Sequence, residues 1–307
     1  MARVLFAQGV HGAIVRSIQR RLAARGFDPK GIDGGYGTNT RKAVSAFQQQ
    51  NGIQRTGEVT VPTWRKLMNG PVPPIRDRAL QLIAAFEGHD FTLAQGNFDG
   101  AGITWGIIGF TLQGGELNRI ILRIQDGHPA LVRQAFGAKT DQLLEVMRGP
   151  KTRQMAFANS ISLGPNKARL AEPWRTGFRI FGELPAVQAL QLELVVRDYF
   201  RPAKQTARGL RLKTELGLAL AFDIHVQNGG LSTAAREEIK RQLAQHPIDR
   251  EQERRVIIAN AVVKQSVPRF RQDVRSRKLA IATGAGTVHG ELFMLRNWGL
   301  ADVGLAA

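Results

Sequence analysis

Two carboxylate side chains, Glu87 and Asp99, lie in contrasting sequence environments. Glu87 ends an apolar stretch with helical spacing, where partial burial and the negative end of the helix dipole favour a protonated acid. Asp99 lies in a polar turn flanked by glycine, where we expect it to stay ionised. Cleavage of a glycosidic bond needs an acid that protonates the leaving oxygen and a second carboxylate that acts as nucleophile or as a base for water. Glu87 and Asp99 are therefore the candidate acid and base.

The elements that must position these carboxylates are predicted from apolar spacing. Leu80, Ile83 and their neighbours predict a helix over residues 75–86 that leads directly into Glu87. Residues 97–111 combine several glycines with β-branched side chains, which indicates a small hairpin or sheet. Further helices are predicted over residues 116–125, 130–136, 151–160, 184–200, 213–228, 232–245 and 249–264.

A break in the chain separates this region from its first quarter. Residues 69–74 contain three prolines and one glycine, which disfavour the hydrogen bonding of both helices and sheets. The sequence therefore predicts a domain of residues 1–69, a stiff linker over residues 70–76 and a second domain of residues 77–307. Three short helices joined by glycine-rich turns are predicted in the first domain, over about residues 11–25, after Thr38 and after Pro62.

Residues along the first domain form a series with a specific spacing. The series is Gly9-Val10, Ile18-Gln19, Leu22, Gly26-Phe27, Ile32-Asp33-Gly34, Tyr36-Gly37, Thr40, Ala43-Val44, Phe47-Gln48, Gly52-Ile53, Thr56-Gly57, Thr63-Trp64 and Leu67. It resembles the peptidoglycan-binding domain of bacterial and phage wall hydrolases. The resemblance implies a shallow groove for wall sugar or peptide near Asp33 and Tyr36. The alternative is a generic three-helix bundle whose glycines only make turns.

A second resemblance covers most of the longer region. The order of Phe86-Glu87 and the run from Asp99 to Thr111 resembles the catalytic region of family 46 chitosanases and, more distantly, of phage-type lysozymes. It implies a helix-borne acid, a β-hairpin with the second carboxylate, and a role for Asp99 and Thr104 in handling the attacking water. Residues 221–230 and 275–290 also resemble this superfamily. Asp99 follows Glu87 by twelve positions, a shorter separation than we expect in chitosanases.

Four further residues of the longer region are candidates for substrate contact: Trp105, Asp223, Gln227 and Asn228. Structural alternatives stay open for several candidates. Asp99 could only form a turn, Thr104 could be an ordinary strand residue, and Trp105 could pack in the core. For Asp223 the structural role is favoured over the catalytic one. The histidines lack a third ligand at suitable spacing, so no metal site is expected.

Composition narrows the classes of protein further. The chain has 307 residues, no cysteine and a formal net charge of +18. A disulfide scaffold, a cysteine-ligated zinc site and thiol redox chemistry are thereby excluded. The charge indicates a polyanionic partner or surface, which could be nucleic acid, anionic lipid, lipopolysaccharide or another anionic envelope polymer, or an anionic wall polymer. Without a readout motif we expect no specific nucleic acid. The sequence predicts no transmembrane segment and no signal peptide, hence synthesis in the cytoplasm.

Together these features predict a mainly α (α+β) chain, in which a small three-helix wall-binding domain precedes a lysozyme-like, two-lobed helical domain with a β-hairpin at its cleft. The expected function is a muramidase-type peptidoglycan hydrolase, with Glu87 as acid, Asp99 as base and Thr104 orienting water, without metal or cofactor. Carboxyl groups about 6.5–9.5 Å apart would give inversion. A chitosanase and an inactive wall-binding structural protein stay open, as does formation of an anhydro sugar. We expect a monomer that reaches the wall by phage lysis or through a contractile secretion system.

Overall fold

A computed structural model of the chain describes residues 2–88, 90–245 and 248–305. These residues are mostly helical and carry small antiparallel sheets, which confirms the predicted fold class. The chain forms two compact units. We call the one that extends up to Phe86 and resumes at Asp198 the split unit, and the one formed by residues 87–197 the middle unit.

The first part of the chain contains the three short helices that the sequence predicts. Its elements are β1 (Val4–Phe6), α1 (Ala13–Ala23), α2 (Thr38–Gln50), β2 (Val59–Thr60), α3 (Val61–Met68) and α4 (Ile75–Glu87). Helix α1 buries Val15, Ile18 and Leu22 on one face, as the helical period requires. Strands β1 and β2 pair antiparallel and were not predicted.

The middle unit combines a three-stranded sheet with several helices. Its elements are β3 (Ala94–Gln95), β4 (Thr104–Trp105), β5 (Phe110–Thr111), α5 (Glu116–Gly127), α6 (Pro129–Phe136), α7 (Thr140–Arg148), α8 (Lys151–Ser160), β6 (Ser162–Leu163), β7 (Arg169–Leu170), α9 (Trp174–Glu183) and α10 (Pro185–Val195). The strands β3, β4 and β5 are adjacent in that order and antiparallel. Its core includes a cluster of aromatic rings: Trp105, Phe136, Phe178 and Phe181.

The last part of the chain completes the split unit. Its elements are α11 (Arg201–Gly209), α12 (Glu215–Asn228), α13 (Thr233–Gln245), α14 (Glu251–Gln265), α15 (Arg271–Thr283), β8 (Ala285–Val288) and β9 (Glu291–Met294). Helix α12 is buried on every side over its first ten residues, because almost all of them are apolar. It therefore forms the centre of this part of the unit. None of the helices in the described residues is long and apolar enough to cross a bilayer.

The N-terminal residues pack onto the C-terminal part of the split unit. The backbone N–H of Ala7 donates to the carbonyl of Asn297 at 3.1 Å, and the amide of Asn297 donates to the carbonyl of Gln8 at 3.0 Å. Buried Glu215 accepts hydrogen bonds from Arg3 and Arg78. The compact units therefore do not coincide with the predicted domains. Contacts such as the Arg3–Glu215 pair join residues more than two hundred positions apart. The spacing of apolar residues along the sequence cannot reveal such contacts.

Candidate active site

Glu87 is the last residue of α4 in the described structure. The helix buries Leu80, Ile83 and Phe86, and Gly88 follows in the left-handed conformation with φ +64°, which is the usual way to end a helix. Glu87 itself is half-buried. A carboxyl group at a helix C-terminus lies beside the free carbonyl groups of the last turn. Glu87 therefore stays a candidate proton donor at the end of a packed helix.

Asp99 lies in a turn that is held by two hydrogen bonds from side-chain oxygens to backbone N–H groups. Its Oδ1 accepts from the backbone N–H of Ala101 at 2.9 Å, and Asn97 Oδ1 accepts from the N–H of Gly102 at 2.8 Å. Gly100 and Gly102 adopt φ +88° and +80°, a conformation that favours glycine. The side chain is exposed, and no bond to its Oδ2 is formed within the part of the chain that the structure describes. That oxygen is available to accept a proton from water.

Thr104 lies on β4, five residues beyond Asp99. It is directly opposite Gln95 on β3 and Thr111 on β5, so the three side chains share one face of the sheet. Its hydroxyl is buried and has no hydrogen-bond partner among the described residues. A buried hydroxyl without a partner costs about 1–3 kcal/mol. The position therefore favours a role in which water or a ligand completes the hydrogen bonding.

Trp105 belongs to the core of the middle unit, which corrects its assignment to substrate contact. Consecutive strand residues point to opposite faces, so Trp105 and Thr104 lie on opposite faces of β4, and both are buried. The indole is fully buried, donates its Nε1–H to the carbonyl of Phe178 at 3.0 Å and stacks on Phe181 with ring centroids 5.5 Å apart. The structure therefore supports the alternative that Trp105 packs in the core.

An exposed aromatic ring beside the candidate base was missed in the sequence. Phe98 directly precedes Asp99 and is 48% exposed. An exposed aromatic ring can stack on the apolar face of another ring. Its position next to a candidate catalytic carboxylate was a signal that could have identified it.

Asp223 is a structural residue, which corrects its assignment to substrate contact. It is fully buried on α12. Its carboxylate accepts from Arg277 Nη2 and Lys278 Nζ, each at 2.5 Å, and both cations are themselves buried. Burial alone would raise the pKa of Asp223, but the charges and hydrogen bonds of these two partners hold it below its ordinary value. The ion cluster closes off the carboxylate from substrate.

The other two candidates on α12 lie at its C-terminal end. Gln227 accepts from Lys278 Nζ at 2.5 Å and donates to Asp273 Oδ2 at 2.6 Å, so both ends of its amide are engaged. Asn228 is half-buried, and its Oδ1 is buried without a partner in the described residues. Substrate contact by either residue stays a prediction. Across the described residues, no group of three or more His, Asp or Glu side chains could hold a metal ion.

In the N-terminal part of the chain, buried Gln19 fixes the loop that carries Asp33. Its Nε2 donates to Asp33 Oδ1 at 2.8 Å and to the carbonyl of Gly35 at 3.0 Å, while its Oε1 accepts from the N–H of Gly34 at 2.8 Å. The hydrogen bond from Gln19, together with that from the N–H of Gly35, lowers the pKa of Asp33. The side chain is exposed and ionised, so a role in ligand binding stays a prediction.

Tyr36 belongs to the core of this region, which corrects its assignment as a ligand contact. The residue is 2% exposed, and its hydroxyl donates to the carbonyl of Gly57 at 3.0 Å. Burial raises the pKa of the phenol. Tyr36 thereby joins the loop after α1 to the loop before β2. The spacing that suggested a binding residue reflects a packing requirement instead.

The N-terminal part of the chain matches a known sequence family. Residues 11–67 match the family described as a peptidoglycan binding domain. The match covers the loops that Gln19 and Tyr36 hold in place. No curated protein matches the chain in sequence.

The fold of the chain is similar to that of solved chitosanases. A native chitosanase from Bacillus subtilis MY002 superposes with a TM-score of 0.50 at 18% identity, over 70% of this chain and 88% of that chain. A family 46 chitosanase from Gynuella sunshinyii, solved with chitotetraose, gives 0.49 at 19% identity, over 74% and 99%. A Burkholderia AP3 phage endolysin gives 0.20 at 19% identity, over 73% and 96%. The first of these comparisons shows a chitosanase-like fold.

Proposed function

We propose that the chain hydrolyses the glycan strand of peptidoglycan between its amino sugars. The observation that carries the proposal is the match of residues 11–67 to a peptidoglycan binding domain in the same chain as a chitosanase-like fold. Domain and fold together favour a glycosidase that is held on a wall polymer. Tethering raises the local concentration of substrate without changing the chemistry.

In the proposed mechanism Glu87 is the general acid and Asp99 the general base. The carboxyl proton of Glu87 passes to the glycosidic oxygen as the bond between that oxygen and the anomeric carbon breaks. Asp99 takes a proton from water through its carboxylate as the water oxygen bonds to the anomeric carbon from the opposite face. This is the inverting scheme, and it consumes one water for each bond cleaved. The contrast between a half-buried Glu87 and an exposed Asp99 supports the two roles.

Thr104 and Phe98 are proposed to assist this reaction. The buried hydroxyl of Thr104 lacks a partner in the described residues and follows Asp99 closely on the same hairpin. We assign it to the orientation of the attacking water. Phe98 is assigned to stacking against a sugar ring, because its ring is exposed beside the base.

Chitosan hydrolysis is the second candidate function, favoured by the fold comparison. Its substrate is a cationic polymer, whereas the chain carries a net charge of +18. Like charges oppose the encounter of enzyme and polymer, while the carboxylates of wall peptides attract a basic protein. Charge therefore favours peptidoglycan.

The test compares initial rates on purified peptidoglycan and on chitosan, read as new reducing ends. The variants are Glu87→Gln and Asp99→Asn, with Glu183→Gln and Asp126→Asn as controls at exposed carboxylates of the same unit. We expect cleavage of peptidoglycan that is lost in the first pair and kept in the second. Cleavage of chitosan alone would establish the second candidate. Binding to peptidoglycan with no cleavage of either polymer would indicate a wall-binding protein without activity.

A further inference from the structure

The split unit contains a cavity of about 700 Å³ whose lining includes none of Glu87, Asp99 and Thr104. It is formed by residues of α11, α12, α13 and α14 and by the loop after α11. Sites for small ligands have volumes of about 300–1,000 Å³. The cavity is thus large enough for a short peptide.

The charged residues that line the cavity are all basic. They are Arg211, Arg236, Lys240 and Arg254, and the lining includes no carboxylate. Within the described residues, none of the four forms an ion pair, whereas neighbours on the same helices do. Arg241 pairs with Glu238 at 2.8 Å, and buried Arg255 pairs with Asp302 at 2.7 Å. The cations that face the cavity thus concentrate positive potential, which an anionic ligand would relieve.

The spacing of charged and apolar residues on α13 indicates which groups a ligand of the cavity should carry. Arg236 and Lys240 are one helical turn apart, about 6 Å along the axis. Half-buried Leu243 lies on the same side and also lines the cavity, with buried Ile239 beneath it. Positive charges therefore alternate with apolar surface. A ligand with two carboxylates separated by small apolar groups matches this pattern. A single phosphate matches it less well, because its charge is concentrated at one position.

His225 adds a neutral hydrogen-bonding group to the lining. Its Nε2 lies 2.9 Å from the hydroxyl oxygen of Thr206. Burial, together with the positive charge of Arg236, lowers the pKa of His225, so the imidazole is uncharged at neutral pH. It can therefore bond to a peptide amide without adding to the charge.

We propose that this cavity binds an acidic peptide of the wall polymer, with its carboxylates on Arg236 and Lys240 and its small apolar side chains against Ile239 and Leu243. The proposal rests on the proposed function, since the peptide is part of the same substrate. Recognition of the peptide would restrict the enzyme to glycan strands that still carry it. A phosphate-bearing polymer is the competing ligand that the test must exclude.

The test measures binding by isothermal titration calorimetry in the full chain. The probe is the N-acetylated peptide L-alanyl-γ-D-glutamyl-meso-diaminopimelyl-D-alanine. Its amidated form and inorganic phosphate are the comparison ligands. The cavity variant is Arg236→Gln with Lys240→Gln, and the matched control is Arg241→Gln with Arg250→Gln. The control removes two exposed charges from outside the cavity lining. Arg211→Gln serves as a second cavity variant.

We expect the cavity variants to weaken peptide binding about tenfold or more and the control to leave it within about twofold. Equal losses in cavity variant and control would overturn the proposal, because net charge would then explain binding. Tighter binding of phosphate, or undiminished binding of the amidated peptide, would overturn it as well. If the wild type binds the peptide but cleaves no glycan, the proposed function fails and the cavity assignment stands. If the wild type cleaves glycan but does not bind the peptide, the cavity assignment fails and the proposed function stands.

Discussion

Replacing Thr104 by valine should separate stability from activity. The hydroxyl of Thr104 is buried and lacks a partner in the described residues, which costs about 1–3 kcal/mol. Valine keeps the shape of the side chain and suits a strand. We therefore expect Thr104→Val to leave the free energy of unfolding unchanged or to raise it by up to about 2 kcal/mol. Hydrolysis should nevertheless fall by about a hundredfold, the lower range for loss of a group that assists proton transfer.

Thr111 provides the matched control, since it lies directly opposite Thr104 on the same sheet face. Its hydroxyl accepts from the N–H of Gly114 at 2.9 Å, so Thr111→Val should lower the free energy of unfolding by about 1 kcal/mol. Thr104→Ser keeps the hydroxyl and should keep most of the activity, while the lost methyl group costs about 1 kcal/mol. Urea denaturation and reducing-end release are measured on all three variants.

Two results would refute this reasoning about Thr104. A loss of stability above about 1 kcal/mol in Thr104→Val would show that the hydroxyl has a structural partner. Full activity in the same variant would show that the hydroxyl does not orient water. In either case Thr104 would be an ordinary strand residue.

The remaining predictions concern the exposed ring, the buried ion cluster and the phenol. Phe98→Ala should lower kcat/KM about tenfold with no change in the urea midpoint; a lower midpoint would place the ring in the core. Asp223→Asn should lower the free energy of unfolding by about 3–5 kcal/mol, because Arg277 and Lys278 lose a buried counter-charge; a change under about 1 kcal/mol in urea denaturation would contradict this. Since the native pKa of Asp223 is lowered, its stabilisation is complete above the unfolded value near pH 4 and is lost as the pH falls through the native pKa. Denaturation at a series of pH values should therefore show a shallower acid decline in Asp223→Asn, and an unchanged decline would argue against the lowered pKa. Tyr36→Phe should cost about 1 kcal/mol in urea denaturation through its lost hydrogen bond; no loss would argue against its role in joining two loops.

Regular apolar spacing allowed many of the helices to be predicted. Helices α1 and α4 and the helix after Thr38 are present close to the expected positions, because one buried face imposes the helical period. Helix α9 (Trp174–Glu183) was not among the predicted helices, although its sequence is amphipathic and includes two glycines. These glycines pack closely, as Gly177 does against Phe136.

The candidate site was predictable only in part. The positions of Glu87 and Asp99 followed from residue type and local environment, because a helix end and a glycine-rich turn are local features. The burial of Trp105 depends on Phe178 and Phe181, which pack against its ring from more than seventy positions away. The partners of Asp223 are more than fifty positions away. Long-range contacts of this kind leave no local pattern.

Mass spectrometry of the products released from purified peptidoglycan by the wild type and by Glu87→Gln tests the central claim most directly. The wild type is predicted to release fragments that gain one water at a glycosidic bond and carry a new reducing end. Glu87→Gln keeps the shape of the side chain but cannot donate the proton, so the rate should fall by a factor of about 100 or more. Fragments with an anhydro sugar end, or activity in Glu87→Gln above about a tenth of the wild-type rate, would contradict the account.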